Sequence, residues 1–437
     1  MIQRLFLLLM LTPILATAQN RLTLPADLTV RQALEIALAN SSILREAQAN
    51  LEQASGRYQQ SRSVLLPQLY IAARQAILTQ NLQGFGIDLT GFPSLLGPFG
   101  SMDARVVLSQ DLLNIAGIRS WQSYKSRRDS SRLLVDDARE VVTLNVVGAY
   151  LQALRAKAYR DTLTDQTRLA NELYQLTADR LKQGVSSDLD ANRAMQQVNS
   201  LEQQRLEAEQ SYVTLKLNLA NILQSNITEN FEVTDTSAYG SGQTMDRDAT
   251  LQAARATRPD YRAAEAAVKA AELQVKAVEA TRLPTLRVTA GDGQSGTTPV
   301  HNVNTYDVRG VLTVPIFTGG RIRGEITEAE GSLRDASAAL EKTRAQVETD
   351  VRTAISGVEW ALKQLDTSAQ NVGLSRQEVD LTRIRLVQGV ADNTEVVNAQ
   401  DRLSRADDAR IRAQYTLGLA RANLARAIGG AERTYRK

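Results

Sequence analysis

The chain has 437 residues, with 51 Lys and Arg against 48 Asp and Glu, one His and no Cys. The absence of Cys excludes disulfides, thiol catalysis and Cys-based metal sites. The nearly balanced charge provides no field that would favour nucleic acid as a partner, and we expect no cofactor.

The first 18 residues have the pattern of a secretory signal peptide. Arg4 supplies the positive charge, residues 5–15 supply an apolar stretch, and Ala16-Thr17-Ala18 supplies small residues for cleavage. An uncleaved anchor is the alternative, although the stretch is short for a helix that crosses a bilayer. No Cys follows it, so the protein is not expected to be a lipoprotein. Membrane insertion of the remaining chain would have to use strands, because no other long apolar run occurs.

Residues 19–230 are predicted to form a helix, two strands and a helical hairpin. The helix covers about 28–64. The strands cover 66–80 and 101–113, where apolar and polar residues alternate with a period of two. The hairpin covers 115–223 and turns at Gly184, a residue that tolerates the left-handed backbone of such a turn.

Residues 248–430 repeat this order after a polar connector at 231–247. A helix covers about 248–282, strands cover 284–292 and 304–315, and a hairpin over 320–428 turns at Gly389. Residues 431–437 form a C-terminal tail. The sequence LTADRLKQGV at 176–185 recurs as LTRIRLVQGV at 381–390, which is 381 − 176 = 205 positions later. Such a long internal repeat indicates an architecture built by duplication.

Helix lengths and seams indicate how the helices pack. The two longest helices are predicted at about 69 residues, hence on the order of 100 Å, and two shorter helices laid end to end match one of them. Ala recurs every seven residues from Ala399 to Ala427, which is typical of a coiled-coil seam. The predicted fold class is therefore mainly α with a small β part that lies in a membrane.

The predicted strands have one apolar face and one charged face. The charged face carries Arg74, Asp103, Arg105, Arg287, Asp307 and Arg309. This alternation is typical of a membrane β-barrel with a water-filled interior; a small soluble sheet with one wet face is the alternative. Four strands cannot close a barrel, and open sheet edges are costly in lipid. Several chains would have to share one barrel: two would give an interior filled by side chains, and three would leave room for a channel.

Four features of the chain resemble the TolC family of outer-membrane efflux and secretion channels. They are the opening helix from Leu28 to Ala37, the junction Val314-Pro315-Ile316-Phe317-Thr318-Gly319-Gly320-Arg321, the two turn motifs at Gly184 and Gly389, and the duplicated order of elements. The first half departs from the junction motif, since Gln110-Asp111-Leu112-Leu113-Asn114 stands there. The resemblance implies a homotrimer with a twelve-strand barrel in outer-membrane lipid and twelve helical columns that form a periplasmic tunnel.

The resemblance also implies partners and sites. The protein would be the channel of a tripartite efflux or type I secretion system, would contact a periplasmic adaptor and through it an inner-membrane pump, and would not be an enzyme. The residues expected to bind the adaptor at the tip are Arg180, Gln183, Gly184, Val185, Arg385, Gln388, Gly389 and Val390; closing the hairpins is their purely structural alternative. A gate is expected at Arg376, Glu378 and Asp380, where symmetry would multiply Asp380 into a ring; a solvated Asp380 without such a role is the alternative. Arg376 is spaced to pair with Asp380, and the alternative is that it ties neighbouring helices together in the closed state. The six charged strand residues would line the barrel lumen.

Two other classes of protein remain open at this point. A periplasmic adaptor also has a signal peptide and a helical hairpin, but it normally has one hairpin within a β-rich protein. A soluble coiled-coil scaffold explains the helices but not four alternating strands bounded by Gly-rich loops.

Overall fold

The computed structural model describes residues 24–86, 91, 93–228, 230–239, 246–390 and 393–436, and the predicted signal peptide 1–18 lies outside them. The first half contains β1 (Asp27–Leu28), α1 (Val30–Asn40), α2 (Ser42–Ser63), β2 (Gln68–Asn81), β3 (Leu95–Leu113), α3 (Ile115–Lys182) and α4 (Asp188–Ile222). The second half contains β4 (Glu232–Val233), α5 (Arg247–Thr257), α6 (Pro259–Glu279), β5 (Thr285–Gly296), β6 (Asn302–Thr313), α7 (Arg321–Val387), α8 (Asn393–Ala427) and α9 (Ala431–Tyr435). The protein is mainly helical with a small sheet part, as predicted.

The opening helix of each half is interrupted, whereas the sequence analysis predicted continuous helices over 28–64 and 248–282. Ser41 leaves the helical region (φ −56°, ψ 127°), and its hydroxyl accepts a hydrogen bond from Leu44 N at 3.4 Å. It therefore ends α1 and caps α2. Arg258 is extended because Pro259, at the start of α6, disfavours a helical residue before it.

The four long strands form one antiparallel sheet in the order β2-β3-β5-β6. β3 begins at Leu95, earlier than the predicted residue 101, because it pairs with the end of β2 up to Asn81. The register shifts beyond Leu78, where β3 carries Gly97 and Pro98 opposite a single residue of β2. Such a bulge accommodates a proline, which has no N–H to donate to the ladder.

β5 also extends beyond its predicted end, from residue 292 to Gly296. A Cβ on Gly296 would overlap the backbone of His301 and Asn302. The glycine therefore allows β5 and β6 to stay paired up to the turn that connects them. Residues 293–296, which lie between the two predicted strands, are therefore strand.

The long helices form one layer of four columns. α3 and α7 have 68 and 67 residues, and hence are about 100 Å long. Across the layer the order is α2 and α4 in one column, then α3, then α6 and α8 in one column, then α7. This matches the stacking inferred from helix lengths. Within the described ranges, no helix is both long and apolar enough to cross a membrane.

The largest apolar core lies where α1 and the end of α4 pack against α3, and Tyr150 of α3 is fully buried in it. The Tyr150 hydroxyl donates to Leu28 O at 2.7 Å and accepts from Asp235 N at 3.0 Å. Burial raises the pKa of Tyr150 to about 12. Leu28 was predicted to open the first helix but pairs with Val233 in a short parallel ladder, so part of the predicted connector 231–247 is structured.

The predicted C-terminal tail 431–437 includes a short helix, α9, which folds back on α3. Glu140 is buried, and its carboxylate accepts hydrogen bonds from Ala431 N at 2.7 Å and Glu432 N at 3.3 Å. A carboxylate at a helix N-terminus compensates both the unpaired N–H groups and the helix dipole. The sequence analysis missed α9 because five residues are too few to show a periodic pattern.

Candidate functional site

The six charged residues predicted for one sheet face do share a face. Strand register and the period of two place them together: Arg74, Asp103, Arg105, Arg287, Asp307 and Arg309. Arg105 Nε donates to Asp103 Oδ1 at 2.6 Å, and Arg105 Nη1 donates to Asp307. Arg309 Nη2 donates to the other Asp307 oxygen at 2.8 Å. The charges therefore form a network that links β3 to β6.

A further acid on this face was not among the predicted site residues. Arg287 Nε donates to Asp111 Oδ1 at 2.6 Å. Asp111 continues the alternation of Asp103 and Arg105 along β3, and this spacing was the signal that could have found it. Residues 110–114 were instead interpreted as a departure from the junction motif.

Two glycines in β5 make room for Arg105 to cross from β3 to β6. Gly293 pairs with Arg105, and Gly291 pairs with Asp307. A Cβ on Gly291 would lie 2.8 Å from Asp307 Oδ1 and 3.2 Å from Arg105 Cδ, and one on Gly293 would overlap the backbone of Ala104 and Arg105. Because these two residues of β5 lack side chains, the Arg105 side chain can pass over β5 and its guanidinium can reach Asp307 on β6.

The opposite face of the sheet is apolar and uncovered. Its exposed side chains include Leu69, Ile71, Ile77, Val106, Leu108, Tyr306, Val308 and Leu312. Ile71 and Ile77 are 78% and 79% exposed, which is unusual for large aliphatic residues in a protein surrounded by water. Gln110 interrupts this face close to the helices, and Gln75, Asp292 and Gln294 interrupt it towards the far end of the sheet.

The two long helices end with the same backbone geometry at the tips of their hairpins. α3 and α7 are followed by Gly184 and Gly389, each with φ +74°. Val185 N donates to Arg180 O and Val390 N donates to Arg385 O, both at 2.9 Å, which is the bond pattern of a helix closed by a left-handed residue. Val185 and Val390 are 72% and 67% exposed. The predicted turns are therefore present, with Gln183 and Gln388 as the residues that end the helices.

The side chains of the two repeated motifs have different contacts. Arg180 Nη2 donates to Leu386 O at 3.0 Å and lies 3.5 Å from Val387 O, and so joins the first hairpin to the last turn of α7. Arg385 instead lies 3.6 Å from Glu395 of its own hairpin. Asn393 Nδ2 adds a second link between the hairpins by donating to Asp190 O at 3.3 Å. The duplication thus preserves the turn but not the role of the arginine.

The predicted gate residues lie on one stretch of α7 but do not contact one another. Arg376 lies 3.8 Å from Asp407 of α8, so the expected pair between Arg376 and Asp380 is wrong. Arg402 of α8 holds Glu378 through two hydrogen bonds, at 2.6 and 3.0 Å. Asp380 is exposed and has no ion pair within the described part of the chain. α8 therefore provides the partners of Arg376 and Glu378, and Arg376 does not pair with Asp380 along α7.

The sheet and the helical layer have open edges on the same sides. Within the described residues, β2 and β6 each have a strand neighbour on one side only. The α2 and α4 column, which continues from β2, and α7, which continues from β6, are likewise the outermost columns. α7 exposes several large apolar side chains: Trp360, Leu374, Leu381, Ile384 and Val387. These edges depend on the order in which the columns pack, and the sequence alone therefore does not indicate them.

Comparison with known proteins finds relatives and solved structures that match most of this chain. OpmQ of Pseudomonas putida, a pyoverdine export outer membrane protein, is 27% identical over 420 residues, which cover 91% of this chain and 85% of OpmQ. The outer membrane protein OprJ of Pseudomonas aeruginosa is 26% identical over 435 residues, covering 92% of this chain and 84% of OprJ. The fold is similar to that of the outer membrane protein VceC from Vibrio cholerae, with a TM-score of 0.78, 20% identity and coverage of 92% of this chain and 96% of VceC.

The profile of the outer membrane efflux protein family matches residues 33–224 and 250–430. These two ranges span most of both repeats. The chain therefore belongs to the outer membrane efflux protein family.

Proposed function

We propose that this protein is the outer-membrane channel of a tripartite efflux or type I secretion system, and that three copies form one conduit from the periplasm to the exterior. The observation that carries the proposal is a four-stranded sheet with an exposed apolar face and two open edges. Each backbone group left unpaired in hydrocarbon costs several kcal/mol, so β2 and β6 need strand partners. Pairing β6 of one copy with β2 of the next supplies them and generates a closed ring.

Three copies fit the charged sheet face better than two. Two copies would give eight strands, an interior that side chains fill, and the Arg105 network would have to be packed there without water. Three copies give twelve strands and twelve helical columns, with a wet lumen for Arg74, Asp103, Arg105, Arg287, Asp307 and Arg309. The apolar face would then contact lipid, as in other membrane barrels.

The hairpin tips are the proposed site of adaptor binding. Val185 and Val390 present two exposed apolar side chains beside left-handed glycines, and the proposed contact set is completed by Arg180, Gln183, Gly184, Arg385, Gln388 and Gly389. Arg385 is the better placed of the two arginines to meet a partner, since Arg180 is already bonded to α7. Closing the hairpins without binding a partner is the structural alternative for the same residues.

Asp380 is the residue of the proposed gate that is best placed to act on passing ions. Arg376 and Glu378 are engaged with α8, whereas Asp380 is exposed on α7 close to the tip. Three copies would create a ring of carboxylates, which attracts cations and repels anions. Arg376 and Glu378 would then hold α7 and α8 together as the hairpin moves.

Family membership favours the channel over a periplasmic adaptor or a soluble scaffold. The proposed location is the outer membrane with a large periplasmic portion, the proposed partners are an adaptor and an inner-membrane pump, and the conduit itself catalyses no reaction. The test is the mass of the detergent-extracted protein together with its distribution between membrane fractions. A complex of three copies in the outer-membrane fraction supports the proposal, whereas a monomer that is soluble without detergent would refute it.

A further inference from the structure

A groove of about 1240 Å³ opens at the joint where α4 ends and α2 begins. Its floor includes Asn145, Ala149 and Gln152 of α3. These residues continue, at helical spacing, the stripe on which Leu163 and Ala170 pack against α4. The groove is therefore a gap between α2 and α4 in the column that they share. At this gap, no described helix covers the stripe of α3 that packs against α4 farther along. We refer to it as the joint groove.

The rim of the joint groove combines hydrogen-bonded polar side chains with uncovered apolar ones. Gln224 accepts a hydrogen bond from Arg45 Nη2 at 3.1 Å and donates to Ser42 Oγ at 2.8 Å, which fastens α4 to α2. Three isoleucines of the groove remain uncovered by described residues: Ile43, Ile222 and Ile227, which are 44%, 38% and 61% exposed. A cluster of this kind on the outer column is typical of a contact surface.

Trp360 is a large apolar side chain on the opposite edge of the layer. It is 69% exposed, because it points away from the face of α7 on which Val351, Val358 and Ala361 pack. Lys363 lies over its ring, at 5.0 Å from the ring centroid. α7 is one uninterrupted helix at this position, so it presents Trp360 on a rigid support.

Trp360 and the joint groove lie at the same level along the helices. Gly357 of α7 lies beside Ala420 of α8, since a Cβ built on Gly357 would be 3.8 Å from the Ala420 side chain. Gly148 of α3 lies beside the next residue of α8, Leu419, since a Cβ built on Gly148 would be 3.9 Å from it. Gly148 and Leu419 both line the joint groove. Side chains on a helix lean towards its N-terminus, so the ring of Trp360 covers the surface near Gly357.

We propose that Trp360 of one copy docks into the joint groove of the next copy. This contact rests on the proposed ring: closing β6 on β2 brings the α7 edge of one copy against the column of α2 and α4 in its neighbour. Tryptophan buries roughly 150–250 Å² when it is enclosed and is among the residues that dominate interfaces. The groove also offers side-chain carbonyl oxygens at Asn145, Gln152 and Asn221 as acceptors for the indole N–H.

The absence of Cys from the sequence allows a direct test by disulfide cross-linking. The variant W360C/I222C, purified in detergent and oxidised with copper phenanthroline, is expected to give covalent dimers and trimers on denaturing gels. The control T367C/I222C places the first thiol on the same exposed stripe of α7, two turns or about 10 Å nearer the tip. It is expected to cross-link at least tenfold more slowly.

A second readout uses the chain's own fluorescence. Trp121 and Trp360 are the only tryptophans, so W121F isolates Trp360, whose emission should shift to shorter wavelength when the trimer forms. The docking is overturned, and the conduit is left intact, if the trimer forms but Trp360 emission stays at long wavelength and cross-linking does not exceed the control. Rapid maleimide labelling of I222C in that trimer would show that the groove is open to small molecules instead. Failure to form any trimer in detergent overturns both.

Discussion

Replacing Arg180 by Ala should favour the open tip. The side chain donates to Leu386 O at 3.0 Å and is partly buried, and a hydrogen bond from a charged donor contributes about 1.5–3 kcal/mol in favourable cases. Because the site is partly exposed, we take about 1 kcal/mol for each copy. Widening the tip must separate the two hairpins that this bond joins. Three copies together would then shift the closed–open equilibrium by about 3 kcal/mol, or about 100-fold.

Single-channel recording in planar bilayers measures this shift as the fraction of time spent at high conductance. Lys182→Ala is the matched control, since it removes a cation from the same tip whose partner, Asp179, lies 3.0 Å away on the same helix. We expect R180A to open often and K182A to behave as the unmodified protein does. Equal behaviour of the two variants would show that the bond between the hairpins does not hold the tip closed.

Three further predictions concern the gate, the sheet and the core around Tyr150. Asp380→Ala should lower cation selectivity or cation block in the same recordings, and unchanged values would remove Asp380 from the gate. Gly293→Ala should abolish the trimer measured by mass in detergent, because the added Cβ overlaps the β3 backbone. Gly310→Ala should preserve the trimer, since nothing described lies within 4 Å of its added Cβ. Survival of the trimer in both variants would contradict the close approach of β3 and β5. The pKa of Tyr150 is raised from 10.0 to about 12 in the fold, so its contribution to stability is complete below pH 10 and is lost as the pH rises through 12. Tyr150→Phe should lower the free energy of unfolding at neutral pH by about 1–3 kcal/mol, because it leaves Leu28 O and Asp235 N unpaired. The variant should also lose less stability than the unmodified protein as the pH rises through 12. Thermal unfolding followed by circular dichroism would show neither effect if the hydroxyl is unimportant.

The parts of the fold that the sequence predicted are those set by local periodicity. Alternation with a period of two determines which side of a strand Asp103 and Arg105 occupy, whatever the strand pairs with. Gly184 and Gly389 mark hairpin turns because few other residues adopt a left-handed backbone without strain. Long helices are equally evident, because their repeated seams extend over many turns.

The parts that it could not predict depend on neighbours distant in the sequence. Arg376 is spaced to pair with Asp380 along α7, but Asp407 of α8 lies within its reach instead. Arg180 and Arg385 occupy equivalent positions in the repeat, yet only Arg180 lies beside the end of α7. Local spacing carries no information about which helix becomes the neighbour, so tertiary order decides these contacts.

The central claim is that copies of this chain close their open edges into a pore. Its most direct test is single-channel conductance of the purified, detergent-extracted protein in a planar bilayer, with the mass of the complex measured in the same detergent. We predict a complex of three copies that forms stable pores of small conductance, because the helical tips restrict the tunnel. A monomer or dimer that produces no conductance would contradict the claim.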